Sequence, residues 1–139
     1  DFSEFKNKLN KSCSGDFIFQ LDADEIISKQ FIEVLPTILE NNPEVDFYWV
    51  SRENYVEGIT PEHIQKWGWN VDELYRINWP DYQWRIYRNT QEIKWVNKVH
   101  EKIEGHKTFS AIPQQIEYSL NHTKSISKQE SQNNYYNTL

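Results

Sequence analysis

The sequence has no methionine, a single cysteine, only four glycines and no long apolar run. Cys13 alone can form neither an intrachain disulfide nor a cysteine metal cluster, which suits a reducing, cytoplasmic setting. No segment is apolar for long enough to span a bilayer, and no signal-peptide pattern is present. A basic excess is lacking as well. The formal net charge is −6, with acids and bases interspersed, which argues against nucleic acid or an anionic membrane surface as the main partner. What the chain has in abundance is aromatic rings. Six Trp, eight Tyr and seven Phe exceed what a minimal core requires, so some are expected to line a ligand surface. At 139 residues, 1–139 reads as one domain with room for a real core. Asp1 leads straight into a helical pattern, as expected of a chain that begins inside a longer gene product or has lost its initiator.

The residues around which the rest is organised run from Asp16 to Glu25, Asp-Phe-Ile-Phe-Gln-Leu-Asp-Ala-Asp-Glu. Phe17, Ile18, Phe19 and Leu21 predict a short buried strand, and Asp22, Asp24 and Glu25 follow at its carboxyl end. Ligands of α/β proteins sit beyond the carboxyl ends of strands, so these acids are expected to project into a crevice. Three neighbouring carboxylates need a compensating cation or hydrogen-bond donors, and oxygen ligands suit Mg²⁺ or Mn²⁺. The plainer reading is a solvated acidic turn.

Phe2, Phe5 and Leu9 predict an amphipathic helix over 1–12, stopped by Ser14-Gly15. Phe31, Val34, Leu35, Ile38 and Leu39 predict a second helix, capped by Ser28 and kinked or divided at Pro36. Residues 46–56 read as one strand. Residues 57–80 form an irregular excursion containing Trp67, Trp69 and Trp79, the pattern of a binding loop or lid. Strands are expected at 83–88, at 93–96 as a returning strand or an extension, and at 116–120, with a polar terminal helix over about 124–139.

Four groups could carry chemistry. The acidic turn is the first. His122, beyond an apolar strand, would complete a nitrogen and oxygen ligand set for Mn²⁺, or serve as a structural hydrogen-bonder. Glu101, beside His100, could act as a general base. Gln83 and Arg85 form the last group. Arg85 could meet phosphate or simply form a salt bridge, and its spacing from Arg88 puts the two on opposite faces of their strand.

Lys6-Asn7, the run from Asp16 to Glu25, Arg85-Ile86-Tyr87-Arg88-Asn89, Trp95, the run from Val99 to Gly105 and His122 together resemble a family 2 glycosyltransferase. The order and spacing of these blocks over roughly 5–123 are similar to the branch that includes lipopolysaccharide core glycosyltransferases. The resemblance implies an α/β fold, a reduced form of the GT-A fold with a mixed central sheet flanked by helices and without the usual N-terminal nucleotide-binding portion. It also implies a metal-dependent, inverting transfer of sugar from a nucleotide-sugar donor, a UDP-sugar foremost, to a glycan or other hydroxyl acceptor. Under it Asp24 and His122 hold Mn²⁺ or Mg²⁺, and Asp22 contacts the donor and belongs to the metal site. Lys6, Asn7 and Arg85 support the donor, with Lys6 standing where the family usually has Arg. Glu101 is the catalytic base, and His100, Gln83, Trp67 and Trp69 support the acceptor or the site. Surfaces left uncovered by the missing portion predict self-association. Two rivals remain: a non-catalytic carbohydrate-binding or assembly module, and a metal-dependent phosphohydrolase.

Overall fold

The computed structural model describes residues 1–137, the Tyr136 side chain excepted. In chain order the elements are α1 (Phe2–Asn10), β1 (Phe17–Phe19), α2 (Lys29–Asn41), β2 (Phe47–Val50), β3 (Arg52–Glu57), α3 (Pro61–Trp67), β4 (Gln83–Arg88), β5 (Lys94–Val96), β6 (Lys102–Glu104), β7 (Phe109–Ala111), β8 (Leu120–Ser125) and α4 (Ile126–Asn137). The central sheet has the order β1-β4-β2-β7. Strands β1 and β2 both run antiparallel to β4 and are joined through α2, whereas β2 and β7 are parallel. The chain is therefore an α/β protein with a mixed sheet. Beside it, β3 pairs in parallel with β8, and β5 pairs antiparallel with β6.

Both faces of the central sheet are covered. Alternation along β2 sends Tyr48 and Val50 to one side, where they pack with Phe31 of α2, Ile86 and Leu120. Phe47 faces the other side and packs with Ile18, Tyr87, Ile93, Trp95 and Ile103, so the β5–β6 ribbon closes that face.

Local chemistry accounts for the helix starts. Asp1 caps α1 by accepting from the Ser3 and Glu4 amides, and Ser28 caps α2 by accepting from Phe31 N. Thr60, Pro61 and His63 open α3 with a capping box, and Gly68, at φ +65°, ends it.

Several boundaries differ from the sequence expectation. Residues 46–56 make two strands in different sheets, because the chain passes from β2 to β3 at Ser51, whose carbonyl accepts from Leu120 N. The 57–80 excursion contains α3. The 93–96 segment returns onto β6 and not onto β4. A 3-10 turn occupies Ile116–Tyr118, and the last strand begins at Leu120. Pro36 lies inside an uninterrupted α2. It sits on the solvent face with Ile32, whose carbonyl water can reach in place of the missing amide. Of the terminal helix expected over about 124–139, residues 126–137 are helical, 124–125 belong to β8, and 138–139 lie outside the described residues. The apolar stripe of α1 faces outward: Phe2, Phe5 and Leu9 are exposed, while its polar side docks through Ser3 and Asn7. Among the described residues no helix is long and apolar enough to cross a membrane.

Gly105 sits at φ +94°, and a Cβ there would stand 1.7 Å from the Glu92 carbonyl oxygen. Gly105→Ala is expected to lower stability by more than the roughly 1–3 kcal/mol of a strained backbone alone, because the clash adds to it. Urea unfolding of the two proteins measures this, and an unchanged midpoint would remove the argument.

Candidate functional site

The acidic turn does not present its three carboxylates alike. The Glu25 amide donates to the Asp22 carbonyl, while the Glu25 side chain folds back to accept from the Asp22 amide at 3.0 Å. Glu25 is thereby buried instead of projecting into a crevice. It receives a bidentate Arg85: Nε to Oε1 and Nη2 to Oε2, each 2.9 Å. Arg85 Nη2 also reaches Asp22 Oδ2 at 3.1 Å. The cation that compensates two of the three acids is thus an arginine of the protein.

A bulge aims that arginine. Along β2 the partners on β4 step from Ile86, opposite Tyr48, to Trp84, opposite Trp49, so Arg85 has no partner on β2. Unpaired residues of this kind re-aim their side chains. Arg88 takes the other direction, to Asp46 and the Phe17 ring, as the spacing predicted.

From Glu25 the contacts continue without a gap. Arg52 bridges Glu25 Oε2 and Asp81 Oδ2, each at 3.1 Å. Asp81, in the left-handed region at φ 37°, also accepts from Asn54 Nδ2 at 2.6 Å and from Gln83 Nε2 at 3.0 Å. Asn54 Oδ1 lies 3.0 Å from His122 Nδ1, and His122 Nε2 lies 2.9 Å from Asp24 Oδ2. Lys128 Nζ stands 3.5 Å from the same Asp24 oxygen. Asp22, Asp24, Gln83, Arg85 and His122 therefore belong to one connected network.

The parallel register of β3 and β8 builds the wall beside it. Asn54 pairs with His122 and Val56 with Lys124, so alternate residues of both strands face one cavity of about 240 Å³. Trp69, Ile77, Asn78, Asp81 and Gln129 complete the lining. Arg52, Asn54, Asp81, Lys124 and Lys128 were not singled out by the sequence reading. The signal for three of them is period-two alternation, Arg52 and Asn54 on β3 and Lys124 with His122 on β8. Asp81 and Lys128 carry no such signal.

Electrostatics distinguish the two ends of the network. Burial works against the Glu25 charge, but hydrogen bonds and charge from Arg85, with Arg52 behind it, hold its carboxyl below the usual range. Burial likewise opposes the Asp24 charge, and the bond to His122 with nearby Lys128 overcomes it. Burial together with Arg52 and Lys124 lowers the His122 pKa against the pull of Asp24. Burial and Arg52 lower that of Lys124.

The donor set at Asp24 and His122 fits a divalent cation. Asn54 gives its Nδ2 to Asp81, so its Oδ1 accepts from His122 Nδ1–H. A neutral His122 then directs the Nε2 lone pair at the Asp24 carboxylate 2.9 Å away, two electron-pair donors facing one point. A proton or a metal ion resolves that arrangement. Among the described residues no group of three or more His, Cys, Asp or Glu is placed to hold a metal, so two protein ligands are on offer. A carboxylate with phosphate oxygens and water suits Mg²⁺ and Mn²⁺, and of the two Mn²⁺ better tolerates the added imidazole nitrogen.

The remaining predicted residues lie outside this network. Lys6 Nζ is 3.7 Å from Glu101 Oε1 and 4.1 Å from the Trp95 ring centroid. Asn7 spends both ends of its amide on the Trp95 backbone, at 2.8 and 2.9 Å, which pins α1 to β5. His100 is exposed at φ 53°. Trp67 and Trp69 lie together, their ring centroids 4.7 Å apart, and Trp69 alone of the two lines the polar cavity.

Glu25→Gln leaves Arg85 short of one charge partner in a buried setting, so a loss of about 3 kcal/mol is expected near neutral pH. Since folding lowers the Glu25 pKa below 4.5, its stabilisation is present above that value and is lost as pH falls through the folded pKa. Urea unfolding across pH should show the gap between wild type and Glu25→Gln closing on acidification; a constant gap would exclude this ion pair as its source. No protein-family model and no curated protein sequence matches this chain.

Proposed function

We infer that the chain is a metal-dependent glycosyltransferase of reduced GT-A type, moving a sugar from a nucleotide-sugar donor to an acceptor hydroxyl. The observation that carries this reading is the meeting of Asp24 Oδ2 and His122 Nε2 at 2.9 Å, across 98 residues of sequence, beside a cavity ringed by Arg52 and Lys124. These are the two residues that the family resemblance names as metal ligands. A divalent ion held by them would neutralise the nucleoside diphosphate as it departs.

The protein's own groups have separable duties. Arg52 and Lys124 line the cavity where a diphosphate would lie, with Lys128 beside it; Arg52 is already paired with Glu25 and Asp81, and Lys128 with Asp24. Arg85 fixes Asp22 and Glu25, and so fixes the turn that carries Asp24. Glu101 receives its role as base from the resemblance. In that role the acceptor oxygen attacks the anomeric carbon while its proton passes to the Glu101 carboxylate. The bond from that carbon to the diphosphate oxygen breaks, and the configuration inverts.

Nucleoside-diphosphate release from a panel of nucleotide sugars, with Mn²⁺ and with chelator, tests the reading. Release is expected with metal only. Asp24→Ala and His122→Ala are expected to lower it about 100-fold or more through lost stabilisation of the leaving group. Glu101→Ala is expected to lower it by a similar factor while leaving metal-dependent nucleotide binding in place. No release from any donor would overturn the transferase in favour of a non-catalytic carbohydrate-binding module. Phosphate release from simple esters would favour the phosphohydrolase.

A further inference from the structure

The polar cavity has a neighbour. A second cavity, of about 390 Å³, is lined by Lys66, Trp67 and Trp69 at the end of α3 and by Asn133 and Asn137 of α4. Trp69 lines both. Gln129, buried and part of the first cavity's lining, donates to Asn133 Oδ1 at 2.7 Å, a second link between the two.

The aromatic part of this cavity is held in advance. His63 stacks on Trp67 with centroids 5.1 Å apart and planes within 22°. His63 is itself fixed at both ring nitrogens, Nδ1 by Thr60 and Nε2 by Glu130 Oε1 at 3.2 Å. The two indoles meet at 48°, forming an angled platform. The hydrogen bond from Gln129 occupies Asn133 Oδ1 and leaves the Nδ2 hydrogens of Asn133 as donors. Apolar ring faces with amides at the edge match a pyranose, which has C–H bonds on its faces and hydroxyls at its rim.

On the strength of the transferase reading, we propose that the Trp67–Trp69 cavity is the acceptor subsite and binds a hexopyranose of a glycan chain. The donor sugar is joined to the diphosphate and must lie beside Asp24 and His122, within the first cavity. A ring seated against Trp67 is one cavity further out, where the sugar carrying the attacking hydroxyl, or the next one along, would extend.

The test uses the full chain, with lactose and cellobiose as probes and the six indole N–H resonances as the readout. Either disaccharide should shift two indole signals, those lost in Trp67→Ala and Trp69→Phe, and should do so in chelator as well as in Mn²⁺. Trp67→Ala should weaken binding at least tenfold and Asn133→Ala severalfold, while Trp67→Phe, which retains a ring, should keep most of it; thermal melts confirm that each variant is folded. Binding that is insensitive to Trp67→Ala, shifts confined to other indoles, or no binding of either probe would overturn the subsite. Binding at Trp67 in a chain that releases no nucleoside diphosphate would instead leave a sugar site there and remove both the transferase reading and the acceptor role that rests on it.

Discussion

The buried pair of Glu25 and Arg85 is the constraint on which the site depends. Glu25 sits where water cannot solvate its charge, and both of its oxygens are met by one guanidinium. Such pairs contribute little net stability against an apolar alternative, since desolvation offsets most of the Coulombic gain. What they do is forbid other arrangements. Arg85 can reach Glu25 because the bulge leaves it unpaired on β2, and the turn can close because Glu25 folds back on the Asp22 amide. With that turn closed, Asp24 is directed away from Arg85 and meets His122 on β8.

The elements that the sequence disclosed are those whose signal is local. The run from Asp16 to Glu25 displays a strand and its acids, and Ser28 with the stripe from Phe31 to Leu39 displays α2. The opposite directions of Arg85 and Arg88 agree with their spacing, although the bulge at Arg85, which has no mark in the sequence, also aims that side chain. The split of 46–56 into β2 and β3 has no local mark, because Ser51 changes sheets through a bond to Leu120, distant in sequence. The outward stripe of α1 shows the opposite failure. Helical spacing was read correctly, but spacing cannot say which face docks, and here Asn7 bonds to the Trp95 backbone while Phe5 faces solvent.

For the candidate site, residue type and position beyond a strand were enough to mark Asp22 and Asp24; Arg85 lies within β4, and His122, expected beyond the last strand, lies within β8. The number of acids was misleading. Three acids in four positions suggested a shared metal, yet two of them are neutralised by an arginine 60 and 63 residues further along the chain. Charge compensation across such separations is a tertiary property. The same holds for Arg52, Lys124 and Lys128, which gather from three separate elements among Asp24, Glu25, Asp81 and His122.

Helix α4 shows how a polar stretch, expected as a terminal helix, comes to dock. Periodicity reports apolar burial, and Ile126-Ser-Lys-Gln-Glu-Ser-Gln-Asn-Asn offers almost none. An isolated helix of 12 residues with that composition is marginal in water, so tertiary contacts have to supply what propensity does not. Those contacts include Lys128 to Asp24, Gln132 to Lys124 and Glu130 to His63, with Gln129 buried beneath. Each partner belongs to the polar site or to the group that braces Trp67. The docking of α4 and the shape of both cavities are therefore one structural event, which explains how a segment with no hydrophobic face comes to have a fixed place.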